Sequence, residues 1–503
     1  MSRPIARVVV VGRDAAGWLS AFALQRAFGR TGLAVQMIEL PSRLSTVDVF
    51  AALPTLANFH RLLGLDDNEV VSACAGVYVQ GQRFSDWSKG KPAFMHAYDT
   101  QGVAINHVDF IQYWVKARAE GLAVSLEDFC LGAAAAKQNR YVLINDTTEA
   151  FSTAAHGYHL DARTYVRLIK QCALKTGVVS TAGQIAAVNR SGAHIQSVVL
   201  SDGQLVEGDL FIDASGVEAA LIGAMPEAPF ESWRHWFGAD RTMVASVKRL
   251  APLPAFSQIS ACRNGWIGLY PLQNRTALKC VFDSSGHSDE EMANTIGSTT
   301  GLRIESEVVV APLEPGARAR PWVGNCIAIG EAAAVLEPLD AVQLHVIQLG
   351  LSRLIGLFPV DAEALLEADA YNADITAHIE NIRDFQIAHY KLNQRFDEPV
   401  WDRARAMNIP DSLAYKLDLF AQRGRVALYD HESFEIENWN AILVGHGVMP
   451  RSYDPLADAL PREEQIAKFK GMLHFIAKEV RTMPSLDAHL EIHAPYGGAR
   501  QVK

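Results

Sequence analysis

The stretch Ile5-Ala-Arg-Val-Val-Val-Val-Gly12-Arg13-Asp14-Ala15-Ala16-Gly17-Trp18 reads as a strand, a tight turn and the start of a helix. Apolar residues fill Ile5 to Val11 with only Arg7 among them, and from Trp18 to Phe28 they recur at helical spacing. The next apolar run, Leu33 to Ile38, is closed by Glu39. In a dinucleotide fold the turn glycines let the backbone approach a diphosphate and the helix N-terminus balances its charge. An acidic residue after the second strand takes the ribose hydroxyls. Gly12, Gly17 and Glu39 hold the outer positions of that pattern, while its middle glycine is Asp14. A carboxylate there lies where phosphate should, with Arg13 beside it as a partial offset. The spacing predicts a dinucleotide-type fold, with Gly12, Arg13, Asp14, Ala15, Ala16, Gly17 and Glu39 as candidate cofactor contacts. A β-α turn that keeps the fold without the ligand accounts for the same residues.

At 503 residues the chain is long for one core, and two or three closely packed modules are expected. The net charge of −10 argues against nucleic acid as a partner. No apolar run reaches the ~18 residues that span a bilayer. The N-terminal Met-Ser-Arg-Pro passes into a strand without a secretory apolar segment, so the expected location is the cytoplasm. Six cysteines without a C-x-x-C pair read as reduced, buried residues and not as a disulfide or zinc framework.

Further along, residues 47 to 64 read as a loop and a helix ending at Gly64, and residues 74 to 87 as strand and turn. Asp161 is placed to cap a helix over 162–176, and Val178 to Val188 reads as a strand. A second firm block is Gly208-Asp-Leu-Phe-Ile-Asp213-Ala-Ser-Gly216, a buried strand followed by the Asp-x-Ser-Gly turn that many flavoproteins run beneath their cofactor. Asp213 is therefore a further candidate cofactor residue. Long amphipathic helices are expected at 361–392 and 463–481.

From Leu63 onward the sequence resembles the flavin-dependent tryptophan halogenases. Leu63-Gly64, Arg83-Phe84 and Trp87 match that family's frame, and the frame assigns the family's catalytic lysine to Val79. The first lysine in the chain is Lys89, beyond the matching tryptophan. The resemblance implies an α/β fold (α+β overall), a Rossmann-like FAD-binding monooxygenase/halogenase fold with an interleaved, largely helical substrate module. It divides the chain into FAD-binding segments 1–46, 150–235 and 300–350, intervening sheet and substrate segments 47–149 and 236–299, and a helical module 351–503. It implies FAD as cofactor, supplied in reduced form by a separate flavin reductase, since no second nucleotide-binding turn is visible. It also implies an aromatic or indole-like small-molecule substrate.

By the same resemblance, His96 and Tyr98 of Phe94-Met-His96-Ala-Tyr98 match a His-x-aromatic pair that sandwiches the substrate, and Ile185 falls near the adenine. Trp266 is the surviving indole of a Trp-x-Trp-x-Ile-Pro signature that here reads Gly265-Trp-Ile-Gly268-Leu-Tyr270-Pro271. Loss of the second indole at Gly268 either opens a gap or leaves it to Tyr270. Glu331, after Gly330, replaces an aspartate that bonds the ribityl chain. Asp340 takes the place of the glutamate that assists the lysine. Val342 and Gln343 stand where two backbone amides hold halide, but glutamine lacks glycine's backbone freedom. His389, Tyr390 and Trp401 match a helical module in which packing is the expected role.

In that family the lysine directs hypohalous acid, formed from reduced flavin, oxygen and halide, toward the substrate. Valine supplies neither charge nor a hydrogen-bond donor. Two readings follow: an FAD-dependent oxidoreductase of this group acting on an aromatic substrate without lysine-dependent halogenation at position 79, or a halogenase-fold protein that serves as a binding scaffold. A homodimer is compatible with either.

Overall fold

Four consecutive valines, Val8 to Val11, are completely buried, as expected of a strand covered on both faces. In the computed structural model, which describes residues 3–149, 151–286 and 288–497, they form the middle of a six-stranded sheet. Its spatial order is Trp322–Val323, Cys326–Ala328, Leu210–Ala214, Arg7–Gly12, Ala34–Glu39 and Val179–Ala182, and every neighbouring pair is parallel except the outermost two. Register aligns Gly12 with both Glu39 and Ala214, and Val11 with Asp213. The carboxyl edge of the sheet therefore gathers the turn, Glu39 and Asp213, where open parallel sheets bind ligands.

The chain divides into two compact units, one made of residues 1–74, 160–235 and 313–381, the other of 75–159, 236–312 and 382–503. In the first, the helices Asp14–Phe28 and Ala162–Lys175 lie against each other, and Asp161 caps the latter by accepting from Thr164 N at 3.0 Å. The two outer turn glycines are fixed by crowding. A Cβ at Gly12 would lie 2.7 Å from Gly17 Cα, and one at Gly17 2.6 Å from Met37 Cε.

The second unit holds a seven-stranded sheet ordered Val309–Pro312, Arg241–Val247, Thr276–Phe282, Gly265–Pro271, Ser257–Cys262, Gly81–Ser85 and Phe94–Ala97. One core lies on it, built from Met243, Ala245, Ile267, Leu278 and Phe282 with Met292 and Ile296 of the helix Asp289–Thr300. A second joins Leu131 and Ala135 to Ile476 and Val480 of the helix Arg462–Thr482.

Several local expectations shift. The 47–64 segment contains a strand, Val49–Ala52, before its helix Thr55–Leu63, which ends at a left-handed Gly64 (φ 75°). The strand expected over 178–188 is two, Val179–Ala182 and Ile185–Ser191. They belong to different sheets and part at Gly183, where a Cβ would press on Leu200. The first long helix begins later than read, at Glu367. All six cysteines are free. Among the described residues no metal-binding cluster occurs, and no helix is long and apolar enough to cross a membrane.

Candidate functional site

Glu39 ends its strand with its carboxylate held by Trp18 Nε1 (3.2 Å) and by Lys170 Nζ (2.8 and 2.7 Å), and that ammonium lies 5.1 Å over the Trp18 ring. Beside it opens a cavity of about 470 Å³ lined by Glu39, Leu40, Ala182, Gly183, Gln184 and Leu200. Its volume suits an adenosine-sized group. Ile185 does not line this cavity; its side chain packs against the core around Val9 and Val11, and Gly183 and Gln184 face the opening instead. Lys170 escaped the sequence reading because nothing local to a mid-helix lysine signals a partner 131 positions away.

At the turn, Asp14 adopts φ 51°, a left-handed conformation that aspartate tolerates better than most residues. Its carboxylate accepts from Ser42 Oγ (2.5 Å) and Arg43 N (3.1 Å), so the loop after the second strand is tied to the turn. Glu218 pairs with both Arg13 and Arg43. A Cβ at Gly216 would stand 3.6 Å from a Glu218 oxygen and 3.7 Å from a Glu331 oxygen, so Glu331 reaches the same place. Burial, and then Arg43, draw the Arg13 pKa down. Arg13 Nε is nevertheless a buried donor with no hydrogen-bond partner among the described residues. Ser42, Arg43 and Glu218 were not foreseen, because their roles depend on loop closure and not on spacing.

Asp213 is differently employed. Its buried carboxylate accepts from Ser215 N and Oγ and from the amides of Leu221 and Ile222 at 2.6–3.1 Å, so it shapes the loop beneath the cleft and has no free acceptor direction to offer a ligand. Gly330 brings the backbone against Ala16, where a Cβ would lie 3.3 Å away. Asp340 is fully buried, and it and Ala341 are consecutive left-handed residues (φ 58° and 59°) just before the helix Gln343–Gly356. Such angles cost about 1–3 kcal/mol each and persist where surroundings impose them, often at functional sites. Val342 is the cap of that helix and Gln343 its first residue.

In the second unit, Val79 is 1% exposed, on a strand that pairs it with Gly157. Neither alternative cation near it in sequence is at liberty: Lys89 pairs with Glu398 at 2.9 Å and Arg83 donates to Gln258 Oε1 at 3.2 Å. The seven-stranded sheet carries a further lysine. Lys279 is 6% exposed, stands directly opposite Gly268, and has its ammonium 6.0 Å from the Tyr270 ring centroid. Register carries this row through Gly268, Ile259, Phe84 and Phe94. Because side chains two apart share a face, His96, Trp266, Tyr270 and Lys279 lie on the same side of the sheet. Sequence reading missed Lys279 because its meaning lies in cross-strand register.

The Tyr270 ring folds back over Gly268: a Cβ at 268 would meet the ring at 2.7 Å. Trp266 Nε1 donates to Tyr390 Oη at 2.9 Å. His96 is fully buried, accepts from Asn438 Nδ2 at 3.2 Å and lies within 5.5–6.2 Å of Tyr98, Phe385 and Phe434. These rings form an aromatic box. His389 and Trp401 serve packing, the first stacked 4.5 Å from Phe84 and the second donating to Cys262 O.

A family model described as tryptophan halogenase matches residues 7–462. The chain belongs to the tryptophan halogenase family. Tryptophan 7-halogenase KtzQ of Kutzneria sp. (strain 744) is 25% identical over 527 residues, covering 97% of this chain and 98% of its own. Among solved structures, BrvH, a flavin-dependent halogenase from Brevundimonas sp. BAL3, is 31% identical with a TM-score of 0.92, covering 98% of this chain and 99% of that one. Xcc4156, a flavin-dependent halogenase from Xanthomonas campestris, is 30% identical with a TM-score of 0.93 over 98% and 99%. The fold is thus the Rossmann-like FAD-binding fold of the tryptophan halogenase family. For FAD, the cleft fits at the adenosine end, through Glu39 and the cavity beside it. It fits at the diphosphate through Arg43 and the spare Arg13 Nε–H, against the added carboxylate of Asp14.

Proposed function

We propose that this tryptophan halogenase family member is an FAD-dependent oxidoreductase acting on an aromatic or indole-like substrate, without a lysine at the position equivalent to Val79. FAD, bound with its adenosine at Glu39 and its diphosphate at Arg13 and Arg43, supplies oxygen-activating chemistry when reduced by a separate reductase in the cytoplasm. Glu331 and the buried Asp340 line the remainder of the acidic set. In the other unit the His96–Tyr98–Phe434 box takes the aromatic ring, and Lys279 provides the donor that Val79 lacks. One observation carries this reading: a buried lysine shares a sheet face with His96, Trp266 and Tyr270. Buried lysines are costly and seldom kept without a task.

A second reading, a family-fold protein that binds without catalysis, is favoured by Asp14, whose hydrogen bonds to Ser42 and Arg43 close the turn on a carboxylate of its own. Titration with oxidised FAD, and anaerobically with reduced FAD, separates the two. Saturable binding of either form supports the oxidoreductase, and its absence in both leaves the scaffold. In a protein that binds, Lys279→Met is expected to leave FAD affinity within twofold while product formation from an aromatic substrate with reductase and oxygen falls at least a hundredfold. Unchanged turnover in that variant removes Lys279 from the chemistry.

A further inference from the structure

Away from the aromatic box, the second unit contains a cavity of about 280 Å³ between the start of the helix Phe110–Ala119, the segment 100–104 and the helix Ile436–Gly445. Its apolar wall is Phe110, Ile111 and Ile436, and its polar groups include Asp109, Glu437 and Asn440. No lysine, arginine or histidine lines it, and Glu149 adds a third carboxylate at the rim. We infer that this is a binding site for a small amine, protonated and carried on an apolar or aromatic body.

Asn440 is 5% exposed, and its Oδ1 is buried without a hydrogen-bond partner among the described residues. Native proteins seldom leave such an acceptor unmet, because removing it from water without replacing the bond is unfavourable. An N–H donor in the cavity corrects this, and a second acceptor does not. The carboxylates of Asp109, Glu149 and Glu437 make no ion pair or side-chain hydrogen bond among the described residues. Asp109 stands at the N-cap of its helix without bonding the helix amides. The cavity therefore offers acceptors and negative charge, with no donor cation, above an apolar wall. That combination selects an ammonium over an alcohol and excludes an acid.

The walls are held in place before any ligand arrives. Buried Asp99 accepts from the amides of Thr100, Gly132 and Thr153 and from Ser152 Oγ, fixing both segments that bracket the opening. Gln101 Nε2 donates to Glu437 O, tying one of them to the Ile436–Gly445 helix. Ile436 and Asn440, four residues apart, present one helical face to the cavity, while Asn438 of the same helix donates to His96. A volume near the lower end of ligand pockets limits the occupant to a compact molecule.

The test uses the full chain with phenethylamine as probe, 2-phenylethanol as its neutral counterpart and phenylacetate as its anionic one, read by calorimetry and saturation-transfer NMR. The amine is expected to saturate, the alcohol to bind at least tenfold more weakly, and phenylacetate not to bind. The surface double variant Asp109→Asn/Glu437→Gln should weaken the amine about tenfold and flatten its salt dependence. Asn440→Leu should weaken it similarly, and its thermal midpoint reports whether the fold survives. Absence of saturable amine binding, equal affinity for amine and alcohol, or an unchanged amine constant in the double variant would each overturn the assignment. None of these outcomes depends on whether FAD binds.

Discussion

The phenol ring of Tyr270 lies back over Gly268, two residues earlier on the same strand, at a distance that leaves no room for a Cβ. The two positions are therefore one unit: the glycine exists for the ring, and the ring occupies what an indole at 268 would fill. Restoring the family's tryptophan alone by Gly268→Trp should overpack a fully buried strand and cost at least ~1–3 kcal/mol. Tyr270→Ala with Gly268→Trp should recover most of that loss. A double-mutant cycle on urea midpoints reads the coupling, and additive effects would show that the two sites do not share space.

On the proposed FAD reading, Asp14 opposes the diphosphate. Its carboxylate is held at the turn by Ser42 Oγ and Arg43 N, and its positive φ suits glycine without strain. Asp14→Gly should tighten FAD about tenfold or more, roughly 1.4 kcal/mol, with the larger gain at low salt because a repulsion between charges has been removed. Fluorescence titration at two ionic strengths checks it. Weaker binding in the variant would mean that the tie to the 42–43 loop matters more than the charge.

What could be read in advance follows the range of the interactions. The strand, turn and helix of residues 7–28 and the closing Glu39 are local patterns, and each carries its meaning in a short window. The cap at Asp161 and the C-terminus at Gly64 are of the same kind. Asp213 was visible as a motif, yet whether its oxygens face a ligand or its own loop depends on where residues 215–222 turn. Lys170 on Glu39 and Glu218 on two arginines are pairings across distant segments. No window of sequence contains both partners, so only the fold discloses them, while Lys279 opposite Gly268 depends on the register of a hairpin that spacing alone does not fix.

Val79→Lys, the substitution the family comparison invites, is not expected to create a halogenase. Val79 is 1% exposed on a paired strand, so a lysine there must either bury its charge or distort the strand, at several kcal/mol. The signature at Gly268 and the residues before Gln343 remain altered as well. The variant should melt lower than the parent and yield no halogenated tryptophan when supplied with reductase, oxygen and halide. Mass spectrometry showing the halogenated product would overturn this account of the site.

Acid should weaken the fold well before its carboxylates titrate. Burial holds the pKa of His159 down to about 3, against its bond to Pro271 O and helped by the charge of Lys279. Burial likewise holds His389 to about 3, and burial with the charge of His378 holds His345 to about 4. An unfolded chain protonates these rings near pH 6.5. Each depressed pKa therefore contributes stability that is complete above pH 6.5 and is lost as pH falls toward the folded value, because the unfolded state binds the extra proton. Three such groups give a loss of about 3 kcal/mol between pH 6.5 and 5.5, since each ring in the unfolded chain goes from about half to about nine-tenths protonated over that interval and a full proton is worth ~1.4 kcal/mol per pH unit. Urea unfolding across that interval measures it, and His389→Gln should reduce the slope by about one proton. A flat profile would require these imidazoles to be charged in the native state, which their burial opposes.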